Sequence, residues 1–169
     1  PVLNDFVAAL GAPSEKLIVV SPDVGSIKRA LGHANRLGAR LAIVDKRRDN
    51  PTETRQEHII GGPVTGMVVV MFDDMISTGG SIAGAAQKLH ALGAAQIHVA
   101  ATHGVLCGKA VEKIKDSPIT ALAVTDTIPV PPEKTIPKIK VLSVAPLLAE
   151  AIKRIHHDQS ISILFDKTE

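Results

Sequence analysis

The sequence predicts an α/β fold, a mostly parallel sheet with helices on both faces. Short β-branched runs alternate with longer segments of helical apolar period along the chain. Glycines stand where the helical segments end, at Gly38 and Gly93 among others. Repeated βαβ units of this kind give parallel strands buried on both sides.

Val2, Leu3, Phe6, Val7 and Leu10 keep a helical period that Gly11 and Pro13 stop, and Leu17 to Val20 is the first strand. Ile27, Ala30, Leu31, Ala34 and Leu37 form the next helical face, before the strand Leu41 to Val44. From Asp45 to His58 no residue is apolar except Pro51. Four basic side chains (Lys46, Arg47, Arg48, Arg55) mix there with four acidic ones, so the stretch reads as a mobile loop of functional length. Val68 to Phe72 is a central strand. Ile82, Ala85, Ala86, Leu89 and Leu92 follow as a helix, and Ile97 to Ala101 as a strand. A short helix at Ala110 to Ile114, a strand at Ala121 to Val124 and a proline-rich loop (Pro129, Pro131, Pro132, Pro137) come next. A strand around Val141 and Leu142 precedes a last helix carrying Leu147 to Ile155, for which Ser143 is the expected cap.

Composition narrows the function. Apolar residues make up 45% of the 169 positions, yet there are three Phe and no Trp or Tyr, so the core is aliphatic. That scarcity also removes the stacking platforms that single-stranded nucleic acid needs. A net charge of +2 leaves no strong electrostatic footprint for nucleic acid or a membrane surface. The single cysteine, Cys107, permits no internal disulfide and no zinc spacing, and fits the reducing cytoplasm. No secretory pattern of basic and then apolar residues opens the chain.

Ligands of parallel sheets sit beyond the carboxyl ends of the strands. Ser21 to Ser26, Lys46 to Arg48, Asp73 to Ser81 and Thr102 to Gly104 therefore belong to one rim. On that rim a hydrophobic strand runs into Asp73 and Asp74, then Ser77, Thr78, Gly79, Gly80 and Ser81, and a helix begins. Glycines let amides approach an anion, hydroxyls add donors, and a helix N-terminus adds positive potential. The carboxylate pair would repel a phosphate and suits hydroxyls or a metal. A phosphorylated sugar satisfies both regions, whereas an acidic turn with a good helix cap would need neither.

The run Asp-Asp-x-x-Ser-Thr-Gly-Gly-Ser after a hydrophobic strand resembles the phosphoribosyl-pyrophosphate (PRPP) fingerprint of type I phosphoribosyltransferases and ribose-phosphate pyrophosphokinases. Val20 to Gly25 resembles the pyrophosphate loop of the pyrophosphokinases, and Val44 to Arg48 the start of their catalytic flexible loop. Ala101 to Gly104, Ser143 to Ile152 and Ser160 to Phe165 are similar to their later segments. The likeness runs in order along the chain but covers only the C-terminal half of that family, whose preceding half supplies ATP contacts. The expectation is thus one phosphoribosyltransferase-like domain over 1–169.

The resemblance implies transfer of a pyrophosphoryl group from Mg–ATP to the 1-hydroxyl of ribose 5-phosphate, giving PRPP and AMP. It implies Lys46 and Arg48 as catalytic cations, with Arg48 also binding substrate. Asp23 would help hold Mg²⁺, Asp73 and Asp74 the ribose hydroxyls, and Ser77, Thr78, Gly79, Gly80 and Ser81 the 5-phosphate. Ser77 departs from the Asp common there in the pyrophosphokinases. His103 is expected to be structural, Cys107 a small packed residue, and Ser160, Ser162 and Phe165 part of a regulatory region between subunits of a homo-oligomer. A phosphoribosyltransferase that consumes PRPP and a non-catalytic regulatory subunit are the competing readings.

Overall fold

The computed structural model of the chain describes residues 1–45 and 58–165. Among them seven strands form one sheet in the order β3-β2-β1-β4-β5-β6-β7. The strands are β1 (Leu17–Ser21), β2 (Arg40–Asp45), β3 (His58–Ile60), β4 (Val68–Ile76), β5 (Gln96–Gly104), β6 (Ala121–Thr125) and β7 (Ile139–Leu142). All neighbours run parallel except β2 and β3.

Alternation along the strands feeds two cores. Ile18 and Val20 of β1, with Val69 and Met71 of β4, pack towards α3 (Gly80–Ala91) and α4 (Ala110–Asp116). Leu17 and Val19, with Val70 and Phe72, pack towards α1 (Val2–Ala8) and α2 (Ile27–Leu37). Helices therefore cover both faces, as the sequence predicts. β1, buried throughout, and the Val69 to Phe72 stretch of β4 read as continuous hydrophobic runs for that reason. α5 (Ala145–His156) differs: none of its residues is buried, and Leu148, Ile152 and Ile155 are 55%, 68% and 62% exposed.

Several boundaries depart from the sequence reading. β4 does not end at Phe72. It continues through Asp73, Asp74 and Met75 because β5 pairs with it as far as Ile76 opposite Gly104. The acidic pair thus belongs to a strand, not to the loop it was expected to open. β3 is a further strand, and Asp45 and His58, read as loop ends, pair across β2 and β3. Residues 46–57 lie outside the described residues. Ser143 does not occupy the cap of α5, which falls to Val144. The Ser143 hydroxyl instead accepts the Ala145 amide at 3.2 Å while Asp126 accepts that of Val144 at 2.9 Å.

After β1 the chain builds outward to β2, then returns to β4 on the other side and builds outward through β7. The reversal leaves a crevice between the carboxyl ends of β1 and β4, where open α/β sheets bind ligands. Among the described residues no helix is long and apolar enough to cross a membrane.

Candidate active site

At the end of β1 the chain closes on itself. The Ser21 hydroxyl donates to the Asp23 carbonyl at 2.7 Å, and Asp23 Oδ1 accepts the Ser26 amide at 2.9 Å. This is the geometry of a turn residue, and it leaves the second carboxylate oxygen of Asp23 outside that bond. At the end of β4, Gly79 caps α3 with φ +71°, and a β-carbon there would stand 3.4 Å from the Ala110 carbonyl oxygen. The left-handed backbone calls for glycine, while the Ala110 contact is of ordinary van der Waals length.

The segment after β5 braces this loop. Leu106 donates its amide to Ile76 at 2.9 Å, and Cys107 donates to Ser77 at 3.0 Å. Cys107 is half-buried, and its Sγ lies 3.2 Å from Ser77 Oγ, so it touches the loop and is not a packed core residue as expected. The Lys113 ammonium donates to the Thr78 carbonyl at 3.3 Å.

Asp73, Ser77, Thr78, Gly79, Gly80 and Ser81 surround one cavity of about 130 Å³. Pro22, Gly80, Ser81 and Lys88 border a second, of about 180 Å³. Asp73 and Asp74 also line a groove of about 380 Å³ with Arg29, His33, Arg36 and Thr102. Asp74 faces that groove rather than the glycine-rich cavity, and Asp23 borders none of the three. The sequence-predicted residues therefore gather around Asp73, which borders two spaces at once. Lys46 and Arg48 fall outside the described residues.

Arg29 of α2 holds the acidic pair. One guanidinium nitrogen sits 2.7 Å from Asp73 and the other 3.3 Å from Asp74. Burial pushes the Asp73 carboxyl above the ordinary carboxylate range. Asp74, more exposed, is held below it by its hydrogen bond with Asp73 and then by the Arg29 charge. Sequence reasoning missed Arg29. Its signal was a cation in the first turn of a helix, where the macrodipole disfavours it unless a carboxylate answers.

His103 Nδ1 and Thr127 Oγ1 are 2.8 Å apart, and Thr127 in turn donates to the Thr102 carbonyl at 3.1 Å. His33 stacks on Phe72 with ring centroids 3.7 Å apart, and its Nδ1 donates to Asn4 at 2.6 Å. Among the described residues no group of three or more His, Cys, Asp or Glu could hold a metal. The available donors are single carboxylates. That fits Mg²⁺, which keeps its waters and takes one or two carboxylates plus substrate phosphates rather than a protein cage.

Residues 54–166 match the phosphoribosyl synthetase-associated domain. The chain belongs to that family. The chain is 64% identical over 165 residues to a ribose-phosphate pyrophosphokinase of Rhodopirellula baltica, covering 98% of this chain and 52% of the relative. Among solved structures it aligns with the phosphoribosylpyrophosphate synthetase of Mycobacterium smegmatis at TM-score 0.80 and 36% identity, over 92% of this chain and 50% of that one. The orotate phosphoribosyltransferase of Aeropyrum pernix, 20% identical with TM-score 0.52 over 90% of this chain and 75% of its own, shares the fold. The domain spans about half the length of the curated relatives it matches. The resemblance drawn from the motifs, to the ribose-phosphate pyrophosphokinases, is borne out over about half of their length.

Proposed function

We propose that the chain carries the ribose 5-phosphate side of a site that forms PRPP. In the reaction the 1-hydroxyl oxygen of the sugar bonds to the β-phosphorus of ATP. The bond between that phosphorus and the oxygen bridging it to the α-phosphate breaks, the hydroxyl proton is released, and AMP departs. The observation that carries the reading is the shared position of Asp73, which borders both the glycine-rich cavity and the acidic groove. A phosphorylated sugar has a part for each.

Ser77 and Ser81 hydroxyls, with the amides around Gly79 and Gly80, hold the 5-phosphate. Asp73 and Asp74 receive the ribose hydroxyls, their orientation set by Arg29. Asp23, on the turn after β1, is assigned to Mg²⁺ on the family resemblance. When bound, that ion supplies charge neutralisation on the transferring phosphates. Lys46 and Arg48 are assigned to the transferred group on family resemblance alone, and on the same resemblance the ATP contacts come from a further half, joined to this chain in a longer protein. Homo-oligomer assembly and a cytoplasmic setting are part of the same proposal.

The experiment is direct. The chain is titrated with ribose 5-phosphate and with ribose in a calorimeter, and the longer protein is supplied with Mg–ATP and ribose 5-phosphate while AMP and PRPP are followed. Binding that requires the phosphate, and equal yields of AMP and PRPP, are expected. PRPP consumption that depends on an added nucleobase, with no AMP formed, would overturn the reading in favour of a phosphoribosyltransferase.

A further inference from the structure

A phosphate monoester carries between one and two negative charges near neutral pH. The cavity bounded by Ser77, Thr78, Gly79, Gly80 and Ser81 offers it neutral side-chain donors, and its one charged neighbour, Asp73, has the wrong sign. Two lysines flank the loop. Lys88 borders the adjoining cavity with Pro22. Lys113 reaches the loop itself, its ammonium 3.3 Å from the Thr78 carbonyl and 3.7 Å from where a β-carbon would stand on Gly80.

Three features make this contact useful to a ligand. Gly80, which borders the cavity, puts no side chain beside the ammonium. An ammonium has three donors, so Lys113 can keep Thr78 and still direct a proton at a phosphate oxygen. Ala110 and Ile114, both fully buried, fix the base from which the exposed Lys113 stem extends.

We infer that Lys113 is a phosphate-binding residue of this site, bringing its positive charge to the terminal phosphate of the ligand. The inference rests on the proposed function for the identity of that ligand, and its test separates the two. The chain and its Lys113→Met and Lys113→Arg variants are titrated calorimetrically with ribose 5-phosphate and, separately, with inorganic phosphate, at several salt concentrations and with melting curves recorded.

Lys113→Met is expected to bind both probes about tenfold more weakly, the scale of a partly exposed charge-assisted hydrogen bond. Its affinity should depend less on salt, its melting curve should not move, and Lys113→Arg should recover most of the loss. Equal affinity in Lys113→Met overturns the assignment and leaves the proposed function standing. A lowered melting temperature with unchanged salt dependence also overturns it, since Lys113 would then only brace Thr78. If the unsubstituted chain binds inorganic phosphate but not ribose 5-phosphate, and Lys113→Met weakens the phosphate, the ribose reading falls and Lys113 stands. If neither probe binds, both fall.

Discussion

Arg29 donates from one guanidinium nitrogen to Asp73 Oδ1 at 2.7 Å, across 44 positions of sequence. Asp73 and Asp74 are consecutive carboxylates, and Arg29 compensates both. In Arg29→Met the pair should take up its first proton at a higher pH, because the Arg29 bond that opposes protonation of Asp73 and the charge that holds Asp74 down are both gone. Carboxyl-carbon NMR titration checks this. Arg29→Lys should restore only part of the effect, because a single ammonium cannot span two carboxylates as a planar fork does. An unchanged titration would show that the ion pair, partly open to solvent on both sides, is screened out.

Gly79→Ala should destabilise the chain by about 1–2 kcal/mol, the cost of placing an L side chain in left-handed backbone. Urea unfolding reads the stability. Ribose 5-phosphate titration should show a loss of affinity as well, whereas Gly84→Ala, inside α3 with open space around its β-carbon, should raise stability slightly and leave affinity nearly unchanged.

His33 is pushed from 6.5 down to about 4, mainly by burial and then by the charges of Arg36 and Arg29. Between those values the unfolded chain takes a proton that the folded chain refuses. Stability from this group is therefore complete above pH 6.5 and is lost as pH falls towards 4. Discounted for its partial exposure, the loss should be about 1–2 kcal/mol. Denaturant unfolding at stepped pH measures it, and His33→Gln should flatten that part of the profile.

Ser77→Asp would set a carboxylate against the Cys107 thiol, whose sulfur now lies 3.2 Å from the serine hydroxyl. A neighbouring negative charge disfavours the thiolate. Alkylation of Cys107 by iodoacetamide at neutral pH should slow by about threefold or more. Rates that match the unsubstituted chain would mean that the two side chains part in solution.

Lys46→Ala should abolish most PRPP synthesis by the longer protein while leaving ribose 5-phosphate affinity within about twofold, the pattern of a group that acts on the transferred phosphates alone. Full synthesis would remove Lys46 from the catalytic assignment.

Much of the fold was legible because β-branched runs and glycine stops are local signals. The strands at Leu17, Leu41, Val68, Ile97 and Ala121 sit where those runs place them. β3 was not legible: three residues hold it in place by pairing with β2, and pairing leaves no trace in so short a segment. The extension of β4 through Asp73 and Asp74 runs against strand propensity and exists because β5 lies alongside. The glycine-rich loop was readable as a motif. Its partners Arg29, Cys107 and Lys113 lie 30 to 44 positions away from the residues they touch, and only the folded chain brings them in.

The two backbone bonds from Leu106 and Cys107 to Ile76 and Ser77 have a thermodynamic consequence. They extend the sheet's pairing into the loop from a second chain segment, so its amides are in place before any anion arrives. Association then spends little conformational entropy on ordering the backbone, and affinity answers mainly to the charge and shape of the guest. A loop of the same composition fastened only through its own strand and helix would have to be ordered afresh by every ligand it met.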